Sequence, residues 1–232
     1  MEILHSWSEN MPGLGPLWLS VKLGLVTTGI LILFGTPLAF WLSRTRSHAK
    51  TIVEAMVALP IVLPPTVLGF YLLILLGPSG AIGGYWLKLT GETLTFSFGG
   101  LILASILYSM PFVIQPLQNA FESVSRGFVE AAATLGARPL DVFFTVVVPL
   151  GARGFLTAGI MGFAHTLGEF GVVLMVGGNI PGQTRVISIA IYDHVEAMEY
   201  GQAHALAAML LVFSFVCMFA LYFINRRWRH EH

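Results

Sequence analysis

Five stretches of this chain contain no Asp, Glu, Lys or Arg over lengths that match a lipid bilayer: 23–43, 55–87, 93–121, 154–184 (with Glu169 as a single interruption) and 200–225. A helix needs about 20 apolar residues to cross the hydrocarbon core. No water is available there, so every backbone N–H and C=O must be satisfied within the fold. These constraints predict an all-α polytopic membrane protein with about five transmembrane helices, near 17–43, 51–76, 96–120, 154–177 and 204–225. Composition agrees: 10% of the 232 residues are charged and 56% are hydrophobic, whereas soluble domains carry roughly 25% charge.

The few charges are sorted by side. Arg44, Arg46, Lys50, Arg126, Arg138, Arg153, Arg226, Arg227 and Arg229 fall in one set of loops, and only Lys88 and Arg185 in the other. By the positive-inside rule the first set is cytoplasmic, which puts the N-terminus outside and the C-terminus inside, with Lys22 snorkelling to the outer interface. The expected organisation is an extracytoplasmic segment over 1–16, a membrane domain over 17–225 with a cytoplasmic loop at about 121–153, and a cytoplasmic tail over 226–232. A formal net charge of zero without a basic block leaves no footprint for nucleic acid. Cys217 is the one cysteine, so neither a disulfide framework nor a cysteine metal site is expected within the chain, and it reads as a packing residue. No Lys or Arg precedes Lys22, so the first apolar segment lacks the positive flank of a cleaved signal peptide and is expected to be retained.

Pro60, Pro64 and Pro65, followed by Thr66, remove three helix donors within six residues, and the second span is expected to be irregular there. Such a segment faces protein or water rather than lipid. Pro111 and Pro116 beside Gln115, Gln118 and Asn119 repeat the theme in the third span; lining of an aqueous path and simple kinking are both open. Gly77-Pro78-Ser79-Gly80 and Gly83-Gly84 read as an outer turn, with Tyr85 and Trp86 as interfacial anchors. Five helices are few to enclose a conduit, so a homodimer about a two-fold axis is expected, closed pairs being the commonest assembly.

The cytoplasmic loop has structure of its own: Glu130-Ala-Ala-Ala-Thr-Leu-Gly136-Ala-Arg138-Pro139-Leu-Asp141, continuing to Pro149. An Ala-rich helix ending at Gly136 and a second one starting at Pro139 make a helix, a turn and a helix. Glu-Ala-Ala, glycine at the seventh position and proline at the twentieth resemble the EAA loop of binding-protein-dependent ABC importer permeases. Val146 and Val148 stand where that family usually has Ile and Leu. The resemblance implies the type I ABC importer permease architecture, in which Glu130, Ala131, Ala132, Gly136, Arg138 and Asp141 belong to the helix that docks on a separate ATPase subunit. Consistently, none of Lys22, Lys50 and Lys88 follows a glycine, so a phosphate-binding P-loop cannot be written in this chain. ATP and Mg are expected on the partner ATPase, with no cofactor on this chain.

Thr166-Leu-Gly-Glu169-Phe-Gly171, then Gly178-Asn-Ile-Pro-Gly182 and Thr184-Arg185, together with Leu59-Pro-Ile-Val-Leu-Pro-Pro-Thr-Val-Leu-Gly69, resemble the molybdate, sulfate and tungstate branch of that family, with a lean toward molybdate. The implied function is the membrane-spanning permease subunit of an oxyanion importer in a bacterial cytoplasmic (inner) membrane. Its implied partners are a second copy of itself, two ATPase subunits, an extracytoplasmic oxyanion-binding protein and membrane lipid. A sulfate, thiosulfate or tungstate permease is the alternative. Residues expected along the path or gate are Pro60, Pro64, Pro65, Thr66, Gln115, Glu169 and Arg185, with no catalytic or metal-binding residue. Glu169 is acidic within a span and His165 lies one turn before it; a His-paired structural Glu, a gate residue and a metal pair are all open. A carboxylate on a dianion path repels its cargo, which favours a structural or gate-hinge role. Arg185 reads either as a functional cation at the outer mouth or as a bridge to Asp193, Glu196 or Glu199. An intramembrane enzyme is disfavoured because no His-Glu-x-x-His pattern or serine-nucleophile motif is present, and a self-contained carrier because no doubled repeat is seen.

Overall fold

The computed structural model describes residues 14–228, so the expected segment over 1–16 and tail over 226–232 lie largely outside the described residues. Everything regular in those residues is helical. In chain order the elements are α1 (Leu14–Arg44), α2 (Ala49–Val62), α3 (Pro65–Leu76), α4 (Ala81–Thr90), α5 (Phe98–Ser123), α6 (Arg126–Thr134) and α7 (Pro139–Val142), then a π-helical turn (Phe143–Val147). They continue with α8 (Val148–Leu150), α9 (Ala152–Gly168), α10 (Gly171–Gly177), α11 (Ile187–Glu196) and α12 (Tyr200–Trp228).

Three helices are long and apolar enough to cross a membrane unaided: α1, α5 and the Tyr200–Ala220 part of α12. The count rises to five if each of two bent pairs is one span. The pair α2 and α3 turns through 112° at the Leu63–Pro64 break, and Pro139–Leu150 meets α9 at 71°. The span expected over 154–177 is likewise not continuous, because it stops at Gly168 and restarts at Gly171.

The core is the mutual packing of α1, α5 and α9. Fully buried Leu42, Val113, Ile114, Leu117 and Phe121 fill it, and glycines let the backbones approach. A β-carbon at Gly154 would lie 2.1 Å from that of Ala120, and one at Gly162 would lie 2.4 Å from the Val113 side chain. In lipid, where apolar surface gains nothing by leaving water, close van der Waals approach of this kind supplies much of the helix–helix attraction.

The second span is irregular as expected, but the break is confined to Leu63 and Pro64. Pro60 sits inside α2, and Pro111 and Pro116 sit inside an unbroken α5. A proline costs about 3 kcal/mol in an isolated helix interior, but neighbouring helices stabilise one in a membrane; Pro60 and Pro111 are both buried. The break comes where Pro64 and Pro65 are adjacent: Leu63 takes an extended conformation and Pro65 begins α3. Gly83-Gly84 is part of α4 rather than a turn. The turn is confined to residues 77–80, where the Gly80 N–H bonds the Gly77 carbonyl at 2.8 Å.

Candidate functional site

The helix–turn–helix expected to form the coupling loop stands at the end of the bundle where α5 finishes. The Ser125 hydroxyl caps α6, accepting from the Gly127 N–H at 3.3 Å. The helix ends in a Schellman arrangement: the Ala137 N–H reaches the Ala132 carbonyl (3.2 Å) and the Gly136 N–H reaches that of Ala133 (3.0 Å). This needs a left-handed residue, and Gly136 supplies it with φ of +84°. The Asp141 carboxylate then accepts from the Arg138 N–H (3.3 Å), restarting the chain as α7. Glu130, Ala131, Gly136, Arg138 and Asp141 are exposed and Ala132 is half-buried. Phe128, Leu135 (89% exposed), Leu140 and Phe144 add apolar side chains to the same surface.

An aromatic cluster ties this segment to the core. Phe143, from the π-helical turn, lies edge-on to Phe40 of α1 at 5.0 Å and near Phe121 of α5 at 6.1 Å, and Phe121 also meets Phe155 of α9 at 5.7 Å. Val142 and Val147 are buried on either side. Arg44 closes the same end, placing Nη2 3.4 and 3.5 Å from the Phe121 and Val124 carbonyls at the end of α5. Such a cation complements the negative end of a helix.

The two broken helices meet in the bundle, with α3 packed on α10. A β-carbon at Gly171 would lie 2.7 Å from that of Pro65, and one at Gly69 would lie 2.9 Å from that of Met175. Pro65 is half-buried in this contact, whereas Pro64 and Thr66 are exposed. The Glu169–Phe170 break leaves the Glu169 carbonyl outside helical bonding, and Ser188 of α11 satisfies it at 2.6 Å.

His165 does not pair with Glu169. Its Nδ1 lies 2.9 Å from the Ser109 hydroxyl, which is 2.9 Å from that of Thr166, and Thr166 donates to the Gly162 carbonyl at 2.9 Å. Counting one proton per hydroxyl, Ser109 donates to Thr166 and accepts from His165, which places the imidazole proton on Nδ1. The ring stacks on Phe112 at 3.8 Å. Glu169 is 4% exposed, and its carboxyl has the Ser105 hydroxyl as its polar neighbour, short of a well-formed hydrogen bond. Among the described residues no group of three or more His, Cys, Asp or Glu is placed to hold a metal.

Gln115 lies on a different surface, in a cleft of about 440 Å³ where α5 crosses α9, with Asn119, Phe112, Thr157, Met161 and Ile61 around it. Sequence reasoning singled out Gln115 and noted Asn119 beside it; Thr157, three residues into the fourth span, gave no signal of its own. Pro116 cannot donate to the Phe112 carbonyl one turn back, so this wall offers water an acceptor at membrane depth. At the opposite end of the bundle from the coupling segment, Arg185 closes a triangle. Its Nη2 bridges Asp193 at 2.8 Å, its Nε donates to Asn179 Oδ1 at 2.6 Å, and Asn179 Nδ2 donates to Asp193 at 2.8 Å. Of the three acids weighed for Arg185, Asp193 is the partner.

Comparison with known proteins agrees with this arrangement. Residues 23–230 match the family described as binding-protein-dependent transport system inner membrane component. The molybdenum transport system permease protein ModB of Azotobacter vinelandii is 59% identical over 208 residues, 90% of this chain and 92% of that protein. The protein of the same name from Escherichia coli K12 is 36% identical over 185 residues, 78% and 81%. The probable sulfate transport system permease protein cysT of Marchantia polymorpha is 33% identical over 204 residues, 87% and 69%. Among solved structures, a bacterial ABC transporter involved in import of the acidic polysaccharide alginate has a TM-score of 0.69 at 19% identity, covering 90% of this chain and 78% of that one. The MetNI methionine ABC transporter in an inward-facing form has 0.70 at 18%, covering 93% and 95%. These two share the fold. With the family match spanning nearly the whole chain, from the first span to the last, the chain belongs to the binding-protein-dependent transport system inner membrane components.

Proposed function

We propose that the chain is the membrane-spanning subunit of an ATP-driven importer that carries an oxyanion, molybdate, across a bacterial inner membrane. The observation that carries this reading is the 59% identity to a molybdenum permease over 90% of the chain. The exposed helix–turn–helix from Glu130 to Asp141 supports it, being shaped to dock on another subunit. Two copies of the chain form the conduit and two ATPase subunits, holding ATP and Mg, seat on the coupling segments. A binding protein delivers the anion on the side of Arg185, where the N-terminus also lies; the C-terminus is cytoplasmic. This chain contributes the path and its movement and no bond-making chemistry.

The second reading, transport of sulfate, thiosulfate or tungstate, is favoured by the 33% identity to a sulfate permease. Anion competition separates the two. In vesicles carrying the complete complex and its own binding protein, labelled molybdate uptake is expected to resist a large excess of sulfate. Sulfate displacing molybdate at equal concentration would overturn the molybdate assignment.

A further inference from the structure

The cleft between α5 and α9 holds polar groups that nothing else in the fold uses. Gln115 and Asn119 lie four residues apart on α5 and both face the cleft, which puts their amides on one face of the helix. Neither side chain makes a hydrogen bond to any described residue, whereas Gln118, between them, turns to α2 and donates to Glu54 at 2.6 Å. The Thr157 hydroxyl gives its proton to the Arg153 carbonyl at 3.0 Å. The free donors in the cleft are therefore amide N–H groups, two on each side chain.

Amides at membrane depth cannot be left to lipid without cost. The cleft is concave, and no residue lining it is charged. The nearby acids, Glu54 on α2 and Glu122 at the end of α5, do not line the cleft and share Lys50 at 3.6 and 3.1 Å, which offsets part of their charge. The lower wall leads to Arg153, one turn before Thr157 on α9. Neutral donors suit a conduit because a strong cationic site would trap a dianion, whereas conduction needs binding weak enough to release.

We propose that this cleft is a transient, charge-free station for the transported anion, where the amide N–H groups of Gln115 and Asn119 replace part of its hydration shell. The proposal rests on the oxyanion reading above and gives it an address inside the membrane domain. Its test uses the complete complex with binding protein in vesicles, measuring labelled molybdate moved per ATP hydrolysed. In the Gln115→Leu, Asn119→Leu double variant that ratio is expected to fall about tenfold, the worth of two ordinary hydrogen bonds, while binding-protein-stimulated ATP hydrolysis stays within about twofold. The near-isosteric Gln115→Glu, Asn119→Asp pair keeps the shape, removes donors and adds repulsion, and is expected to lower the ratio further.

A double-leucine variant with an unchanged ratio would overturn the proposal. So would Glu and Asp variants that transport normally while the leucine variants fail to assemble, since the cleft would then be a packing contact. A wild-type complex that moves neither molybdate nor sulfate would instead refute the oxyanion reading itself.

Discussion

Replacing Gly136 tests the elbow between α6 and α7, the proposed coupling loop, apart from the rest of the protein. The residue sits at φ of +84°, and a β-carbon there would meet no atom within 4 Å, so a side chain adds backbone strain and no clash. Left-handed geometry costs a non-glycine residue about 1–2 kcal/mol, and asparagine less because its side chain tolerates that region. No residue of α6 is fully buried, so the cost falls on the elbow rather than on the bundle. If only the native elbow docks on the ATPase, then Gly136→Ala lowers the elbow's folding equilibrium constant by about 5- to 30-fold, and the apparent affinity by up to that factor. The β-branched Gly136→Val is worse, and Gly136→Asn lies close to wild type. The assay is titration of purified complex lacking ATPase with the ATPase subunit, alongside thermal unfolding of the membrane part, expected to be unchanged. Valine binding as tightly as glycine, or asparagine as poorly as valine, would refute the backbone argument.

Phe143→Ala removes the ring joining the coupling segment to Phe40 and Phe121. It is expected to destabilise by about 2–3 kcal/mol, below the full cost of a buried phenylalanine because the ring is half-buried, and to uncouple ATP hydrolysis from uptake; a coupling ratio at wild-type level would rule out transmission through this ring. Gly171→Ala forces a β-carbon onto Pro65 and is expected to cost about 1–3 kcal/mol by overpacking, read as a lowered midpoint in thermal unfolding of detergent-purified protein. Arg185→Ala opens the Arg185–Asn179–Asp193 triangle and is expected to lower uptake at limiting substrate with the complex intact, while Arg185→Lys restores part because lysine lacks the fork; unchanged uptake would leave the residue a purely structural one. After Cys217→Ser, a thiol probe at Ser79 is expected to react from outside and one at Ser125 only from inside, and the reverse pattern would overturn the orientation.

Much of this was readable from the sequence, because lipid leaves so few options. The apolar stretches locate α1, α5 and α12, and the coupling segment carries local chemistry strong enough to specify itself: an Ala-rich run, glycine at the left-handed position and proline at the first turn. Proline was harder to interpret, since its effect depends on what surrounds it. Pro60 and Pro111 are packed inside helices, and only the adjacent Pro64-Pro65 pair ends one. The break at Glu169 had no proline to announce it; its exposed backbone is satisfied by Ser188, nineteen residues away. The same limit hid the partners of the polar side chains. His165 and Glu169 are one turn apart in sequence, but the helix stops between them, so Ser109 of α5 reaches the imidazole. The Arg185 partner was legible only as one of three acids until α11 fixed the register of Asp193.

The contact of Pro65 with Gly171 joins the starts of the two interrupted helices, α3 and α10, into one packed unit. Glycine on one helix faces proline at the start of the other, so the two interrupted helices share one tightly packed seam. A side chain at Gly171 would have to push Pro65 aside, since its β-carbon would lie 2.7 Å from that of the proline. The same close fit recurs one turn along, where a β-carbon at Gly69 would lie 2.9 Å from that of Met175.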